Sequence, residues 1–229
     1  MSEEIRNMFS KIAGKYDFLN SLLSFRIHYR WRKKTVKLSQ PEVGCKLLDC
    51  ACGTGDMAFA YSKALNNNID IIGIDFCEEM LVIAREKAQK KDKYIKFQTA
   101  DLLNMEFPDN KFDMTSIAFG IRNVDSITAG LSEMARVVKP GGKVVVLEFG
   151  QPTGFFLALF KLYSKFLIPV IGRLIARQGA AYHYLPESVS KFPCREDFIA
   201  LMNETDKFSE SKYFPLTLGL VYVYIGVVK

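Results

Sequence analysis

The chain lacks the features that mark several classes of protein. It has five cysteines and two histidines in 229 residues, and the cysteines have no paired metal-binding spacing, so we expect no metal site and reduced thiols in a cytoplasmic protein. No apolar segment follows the polar, acidic stretch 1–6, so we expect no secretory signal. Internal repeats and low-complexity tracts are also missing from the sequence. A single folded domain fits this length and a hydrophobic content of 49%.

The charge is mildly basic, with 31 Lys and Arg against 25 Asp and Glu. Such a surface attracts anionic partners, either nucleic acid or phospholipid. The basic run at 30–37 is compatible with a nucleic-acid-binding module, but a charge run of this kind is usually the solvated face of a helix. We therefore expect no nucleic-acid partner.

The hydrophobic pattern changes along the chain. Residues 3–39 have helical spacing, whereas short strands alternate with helices from Cys45 onward, which predicts βαβ units and a parallel sheet. Residues 150–194 interrupt this alternation with a long apolar stretch and a loop rich in Tyr, Pro and Ser. A closing hairpin adds an antiparallel strand. The predicted strands are 45–50, 70–75, 94–99, 112–119, 142–149, 209–217 and 220–228, and the predicted helices are 56–66, 78–91, 127–138 and 195–204.

A glycine turn follows the first strand of the predicted sheet. Gly53 and Gly55 fit the loose pattern G-x-G-x-x-G/A, and Asp75 follows Gly55 at the distance expected for a ribose-binding carboxylate. Glycine in such a turn lets a ligand approach the backbone and the N-terminus of the next helix. The pattern alone is compatible with NAD or with S-adenosylmethionine.

Three features favour S-adenosylmethionine over NAD. Asp49, at the end of the first strand, would repel a pyrophosphate but attract a sulfonium and an ammonium. Asp101 follows the third strand, where a carboxylate can accept a hydrogen bond from an adenine amino group. The closing hairpin differs from the repeated half of a dinucleotide-binding domain. Asp75 also suits a helix cap and Asp101 an ordinary turn, so the assignment depends on their combination.

Further segments resemble the signatures of the UbiE/MenG quinone C-methyltransferases. They are MFSKIAGKYD at 8–17, FGIRNV at 119–124, KPGG at 139–142 and AYHYLPESV at 181–189. The resemblance covers nearly the whole chain. It implies a class I S-adenosylmethionine-dependent methyltransferase: an α/β fold with a seven-stranded, mostly parallel sheet, an antiparallel last strand and helices on both faces. We expect one domain over 1–229, with an N-terminal helical cap at 1–40 and a substrate-cap or membrane-facing insert at 150–194.

The resemblance also implies positions for the methyl donor, S-adenosylmethionine. The family's cofactor positions correspond to Thr54, Asp75, Asp101 and Leu102, and the turn adds Asp49, Gly53 and Gly55. Ala118 stands where the family commonly has serine, so we expect one hydroxyl contact to be absent.

The reaction that the resemblance implies is methylation of a ring carbon of a polyprenyl quinol. Demethylmenaquinol, in menaquinone biosynthesis, is the first choice. The alternatives are 2-methoxy-6-polyprenyl-1,4-benzoquinol, in ubiquinone biosynthesis, and another lipophilic acceptor such as a sterol or a phospholipid amine.

Arg122 is the first candidate for a catalytic residue because it follows the fourth strand, beside the expected crevice. Arginine stays protonated in proteins, so it would act as a fixed cation that lowers the pKa of the quinol oxygen and holds the quinolate. Asn123 could orient the same oxygen, and His28 and Tyr182 are candidates for proton transfer. The alternative for Arg122 is a structural ion pair.

The apolar segment 155–176 has nearly the length of a membrane span. Lys161, Lys165, Pro169 and Arg173 interrupt it, and the two lysines share a helix face. The pattern is typical of an amphipathic segment that lies on the bilayer, so we expect a cytoplasmic protein associated with the inner face of the membrane. A buried core helix or a homodimer contact is the alternative.

Overall fold

The computed structural model describes residues 3–91, 94–152 and 180–229, which form a seven-stranded sheet with helices. The strand order is β3-β2-β1-β4-β5-β7-β6. Strands β1 to β5 run parallel, and β7 runs antiparallel to both of its neighbours, which confirms the predicted topology. The strands are β1 (Lys46–Cys50), β2 (Asp70–Asp75), β3 (Ile95–Thr99), β4 (Phe112–Ala118), β5 (Val138–Phe149), β6 (Phe208–Leu216) and β7 (Val221–Val228).

Side chains from both faces of the sheet are buried. Because neighbouring residues of a strand point to opposite faces, Leu47 packs with one apolar cluster and Leu48 with the other. One cluster includes Trp31 and Tyr61 from helices near the N-terminus, and the other includes Phe198. Helices therefore cover both faces, as predicted.

The helices of the described residues follow the sequence pattern except in one place. The prediction of a loop rich in Tyr, Pro and Ser is wrong, because residues 180–191 form a helix that contains Pro186. Proline removes one backbone hydrogen bond there, but burial of Val189 helps to hold the helix in place. The helices are α1 (Glu3–Leu23), α2 (Ile27–Ser39), α3 (Asp56–Ala64), α4 (Glu78–Lys90), α5 (Ile127–Arg136), α6 (Ala180–Lys191) and α7 (Glu196–Glu204).

Membrane contact was predicted for the segment 155–176, which lies outside the described residues. Among the helices that are described, none is both long enough and apolar enough to cross a bilayer. Contact between the 155–176 segment and a membrane stays a prediction.

Candidate active site

The candidate site lies at the carboxyl edge of the sheet, where β1 and β4 are neighbours. The chain leaves β1 toward β2 on one side, whereas β4 continues to β5 on the other. Ligands of open α/β sheets bind in the crevice that forms at such a reversal of strand order. The glycine turn follows β1, and the segment 119–124 follows β4, so the two sequence signatures meet at this point.

The glycine turn leaves its backbone accessible on one side. Gly53 and Gly55 have φ angles of 54° and 82°, which favour glycine. A Cβ on Gly55 would lie 2.9 Å from Cζ of Phe97, whereas a Cβ on Gly53 would meet no atom within 4 Å. Gly55 therefore packs against the protein, and Gly53 borders free space that a ligand could occupy.

Asp75 lies beside this turn at the end of β2. Its Oδ2 accepts a hydrogen bond from the backbone N–H of Gly53 at 2.8 Å, and its Oδ1 accepts one from Cys77 at 2.9 Å. Burial raises the pKa of Asp75, although these backbone hydrogen bonds oppose the shift. The exposed Asp101 follows the neighbouring strand β3, next to the buried Leu102. The two carboxylates predicted to bind the methyl donor thus lie at the carboxyl ends of the neighbouring strands β2 and β3.

Asp49 is fully buried beneath the turn. Its two carboxyl oxygens accept hydrogen bonds from Ser116 Oγ at 2.7 Å and from the backbone N–H of Ala58 at 3.0 Å. Burial raises the pKa of Asp49 to about 7. This carboxyl group connects β1 to β4 and α3 through these hydrogen bonds. Attraction between Asp49 and a sulfonium stays a prediction. Ser116, which sequence reasoning missed, is its partner.

Thr54 connects the turn to the N-terminal helices. Its hydroxyl donates to Asp17 Oδ1 at 2.6 Å, and Lys87 Nζ donates to Asp17 Oδ2 at 2.9 Å and to Asp56 Oδ1 at 2.6 Å. Sequence reasoning missed Asp17 and Lys87, because these partners lie on α1 and α4. The network holds α1 beside the glycine turn.

Arg122 forms an ion pair with Glu148, at the end of β5. Its Nη1 donates to Glu148 Oε1 at 2.6 Å and to the Phe119 carbonyl at 2.7 Å. Burial raises the pKa of fully buried Glu148, and the Arg122 cation acts in the opposite direction. The structural ion pair considered from the sequence is therefore present. Sequence reasoning missed Glu148, although a single carboxylate within the apolar strand β5 is a recognisable signal.

His28 is buried on α2, with its ring oriented by Ser24. The Ser24 hydroxyl donates its hydrogen to the Asn20 carbonyl at 2.6 Å, so His28 Nδ1, at 2.5 Å, donates to Ser24 Oγ. The Nε2 atom is then an unprotonated acceptor. Burial, reinforced by the Arg32 cation, lowers the pKa of His28 to about 4, so the ring is neutral at pH 7.

Asn123 is buried and accepts a hydrogen bond at Oδ1 from the Tyr184 hydroxyl of α6, at 2.8 Å. A cleft of about 300 Å³ lies here, lined by Arg122, Tyr184 and Phe192 among others. Tyr182 belongs to the same helix, but its side chain lies outside the described residues. Arg122 therefore lines this cleft, whereas Asn123 lies beside it, bonded to the lining residue Tyr184.

Three aromatic rings from α2 and from the ends of β4 and β5, those of Trp31, Phe119 and Phe149, pack against one another and form what we call the aromatic wall. The ring centroids of Phe119 and Phe149 are 4.7 Å apart, and Trp31 lies 6.0 Å from Phe119. Phe119 has a φ of 58°, which is unusual for a bulky side chain. The rings of Phe119 and Phe149 are tilted by 40° to each other, and each ring offers an apolar face to a ligand.

Several buried polar atoms near these rings have no hydrogen-bond partner in the described part of the chain. Buried polar groups are normally satisfied, so a cluster of unsatisfied atoms indicates a place where a ligand supplies the partners. The clustered atoms are His28 Nε2, Arg32 Nε and Nη1, Arg122 Nε and Glu148 Oε2. Within the part of the chain that is described, no group of three His, Cys, Asp or Glu side chains could hold a metal ion.

Comparison with known proteins gives matches along the whole chain. The model of the ubiE/COQ5 methyltransferase family matches residues 1–228. The chain is 48% identical to the ubiquinone/menaquinone biosynthesis C-methyltransferase UbiE of Bdellovibrio bacteriovorus, over 99% of this chain and 97% of that protein. It is 39% identical to the demethylmenaquinone methyltransferase of Staphylococcus saprophyticus, over 98% and 96%.

A solved structure shows the same fold. The chain superposes with a TM-score of 0.69 on a SAM-dependent methyltransferase of Thermotoga maritima, described as a possible histamine N-methyltransferase, and 97% of this chain and 99% of that chain are covered. The two sequences are 20% identical. The similarity confirms the class I methyltransferase fold.

Proposed function

The chain belongs to the ubiE/COQ5 methyltransferase family, and from this premise we propose that it methylates a ring carbon of a polyprenyl quinol. It is an S-adenosylmethionine-dependent C-methyltransferase. Demethylmenaquinol is the proposed acceptor, and menaquinol the product. The observation that carries the proposal is the full-length family match together with the arginine, carboxylate and aromatic groups that meet at the carboxyl edge of the sheet.

The residues beside the glycine turn fit the methyl donor. S-adenosylmethionine supplies an electrophilic methyl group on a sulfonium. We place the nucleoside at the ends of β2 and β3, where Asp75 would accept from the ribose hydroxyls and Asp101 from the adenine amino group. Leu102 would contact the adenine ring. The free space beside Gly53 leaves room for the ligand against the backbone.

The acceptor fits between the aromatic wall and the Arg122–Glu148 pair. A quinol ring can stack against Phe119 or Phe149, whose planes differ by 40°. The Arg122 guanidinium lies 5.4 Å from the centroid of the Phe149 ring, so a cation stands beside the proposed ring site. Such a fixed cation stabilises the negative charge that a quinol oxygen carries once its proton has passed to solvent. The ring carbon would then bond to the methyl group as the S–CH₃ bond breaks and S-adenosylhomocysteine leaves. The methylated carbon would lose its proton, and the ring would regain its aromaticity.

His28 and Asn123 complete the proposed contacts to the quinol. His28 Nε2 is buried and carries no proton, so it can accept a hydrogen bond from a quinol hydroxyl. The Asn123 amide, oriented by Tyr184, can donate to a quinol oxygen. Both groups position the ring, and Arg122 supplies the charge.

The names of the relatives favour the naphthoquinol. The S. saprophyticus relative is named for demethylmenaquinone alone. The B. bacteriovorus relative is named for both ubiquinone and menaquinone biosynthesis, which keeps the 2-methoxy-6-polyprenyl-1,4-benzoquinol as the second acceptor. Because a polyprenyl tail is insoluble in water, we also propose that segment 155–176 contacts the membrane and that the protein collects its substrate there.

The test is methyl transfer from labelled S-adenosylmethionine to reduced short-chain quinols. Purified protein is given the demethylnaphthoquinol, the methoxybenzoquinol, a sterol and a phospholipid amine in parallel reactions. We expect label in the naphthoquinol first and in the benzoquinol second. Label in the sterol or the amine alone, or in no acceptor, would overturn the proposal.

A further inference from the structure

Arg32 is a buried cation whose hydrogen-bonding capacity is mostly unused. The residue is 7% exposed, and its Nε and Nη1 atoms are buried with no hydrogen-bond partner among the residues that the structure describes. Its Nη2 lies 3.5 Å from Asp56 Oδ2. That carboxylate is held more closely by Lys87, at 2.6 Å. Arg32 is therefore only loosely paired with a carboxylate that Lys87 binds more closely, and two of its nitrogens find no partner in the described residues.

A guanidinium in this condition is costly, because burial removes the water that would otherwise bind its N–H groups. Arginine also cannot relieve the cost by losing its proton. An anionic ligand that accepts hydrogen bonds from Nε and Nη1 would remove the penalty. The two unpartnered nitrogens therefore indicate a binding site for an anionic group of a ligand.

The position of Arg32 identifies the part of the crevice that this anion would occupy. Its ion-pair partner Asp56 is the first residue of α3, directly after the glycine turn. On another side, the Arg32 Cζ atom lies 6.0 Å from the centroid of the Phe119 ring, just beyond β4. Arg32 therefore stands between the ends of β1 and β4, where the donor and acceptor sites would meet.

We propose that Arg32 binds the carboxylate of the amino-acid end of S-adenosylmethionine, an inference that rests on the proposed function. With the nucleoside at the ends of β2 and β3, the amino-acid end must extend past β1 toward β4, and Arg32 lies there. The carboxylate is permanently anionic, and a guanidinium–carboxylate contact is a strong, charge-assisted one. Arg122, which has its own partner in Glu148, is left for the quinol.

Two nucleosides that differ by the carboxylate alone test the assignment. S-adenosylhomocysteine carries the group, and its decarboxylated analogue, S-adenosyl-3-thiopropylamine, lacks it while keeping the amine. Binding of both is measured by calorimetry on wild type, Arg32→Gln and Arg30→Gln. Arg30 is the matched control because it lies on the same helix but is exposed.

We expect Arg32→Gln to weaken binding of S-adenosylhomocysteine by roughly 10- to 100-fold, the range for a lost charged hydrogen bond, and to change binding of the decarboxylated analogue by less than about threefold. Arg30→Gln should leave both affinities unchanged. Because the two ligands are compared on one protein, a general loss of folding would lower both affinities and cannot imitate this result.

Two outcomes would overturn the assignment. Equal weakening of both nucleosides by Arg32→Gln would make Arg32 a structural residue. Unchanged binding of both, with slower methyl transfer, would mean that Arg32 binds the quinol instead. Failure of the wild-type protein to bind either nucleoside would be a different result, because it would overturn the proposed function itself.

Discussion

Nη1 of Arg122 lies 2.6 Å from Oε1 of Glu148, and their side chains are 7% and 0% exposed. Glu148 also accepts a hydrogen bond from the backbone N–H of Phe149 at 2.8 Å, so this carboxylate is fixed by its own strand. It orients the guanidinium at the edge of the cleft, and Arg122 Nε has no hydrogen-bond partner within the described ranges. The Arg122–Glu148 contact is therefore a structural ion pair that also positions a cation beside the proposed acceptor site.

Replacing Arg122 by alanine should reduce turnover far more than donor binding. We expect kcat to fall by roughly 100-fold or more, the usual loss for a group that stabilises developing negative charge, while the affinity for S-adenosylhomocysteine changes by less than about threefold. Asp75→Ala should show the opposite pattern, with weaker nucleoside binding. The measurements are steady-state methyl transfer and calorimetry.

Since Arg122→Ala leaves Glu148 buried without its cation, the variant should also lose about 3–5 kcal/mol of stability. Urea unfolding must therefore show that the assayed protein is folded. Unchanged turnover in folded Arg122→Ala would rule out Arg122 as the quinolate stabiliser.

His28 should make the protein less stable in mild acid. Its pKa is about 4 in the folded protein against the ordinary histidine value of 6.5, so in mild acid the unfolded chain takes up a proton that folded His28 does not bind. Stability is then lost as the pH falls from 6.5 toward 4. Between pH 7 and pH 5, wild type should lose about 2 kcal/mol more than His28→Gln. Urea unfolding at both pH values checks this, and parallel losses would contradict it.

Two glycine substitutions should separate ligand binding from stability. Gly53→Ala places a methyl group in the open crevice at a φ of 54°, so we expect about 1–2 kcal/mol of strain and about tenfold weaker nucleoside binding. In Gly142→Ala, the new Cβ would lie 2.6 Å from the Asp113 carbonyl oxygen, away from the turn. That variant should be less stable but bind the nucleoside normally when folded. Calorimetry and urea unfolding distinguish the two, and normal binding by Gly53→Ala would be evidence against the donor site.

Trp31 should report ligand binding, because it is the one tryptophan in the sequence. Its Nε1–H donates to Thr217 Oγ1 at 2.8 Å, and its ring faces the aromatic wall. Saturating S-adenosylhomocysteine should change the Trp31 emission with the same dissociation constant as calorimetry. Trp31→Phe should remove the signal but keep the binding. An unchanged emission at saturation would mean that the amino-acid end of the ligand does not reach Arg32, the neighbour of Trp31.

The sequence predicted the sheet well because its signals are local. Residue type and spacing alone predict the apolar strands, the Gly53–Gly55 turn and the carboxylates at the carboxyl ends of β2 and β3. The α6 helix was missed because Pro186 and its polar neighbours resemble a loop, and only tertiary contacts such as Tyr184–Asn123 show otherwise.

The partners within the site were harder to predict. Thr54 and Arg122 were candidate site residues, and their roles stay predictions. Their partners Asp17, Lys87 and Glu148 were missed, because these contacts join residues that are 26 to 70 positions apart. Asp49 shows the converse problem. Its place before the turn indicated a ligand contact, but only the structure shows that its oxygens bind Ser116 and Ala58.

The position of the transferred methyl group tests the central claim most directly. Reduced demethylnaphthoquinol is incubated with the protein and S-adenosylmethionine, and the product is analysed by mass spectrometry and NMR. We predict one added methyl group, bonded to the free ring carbon, with no product from the oxidised quinone. A methyl group on a quinol oxygen, or no methylated quinol under reducing conditions, would contradict the account.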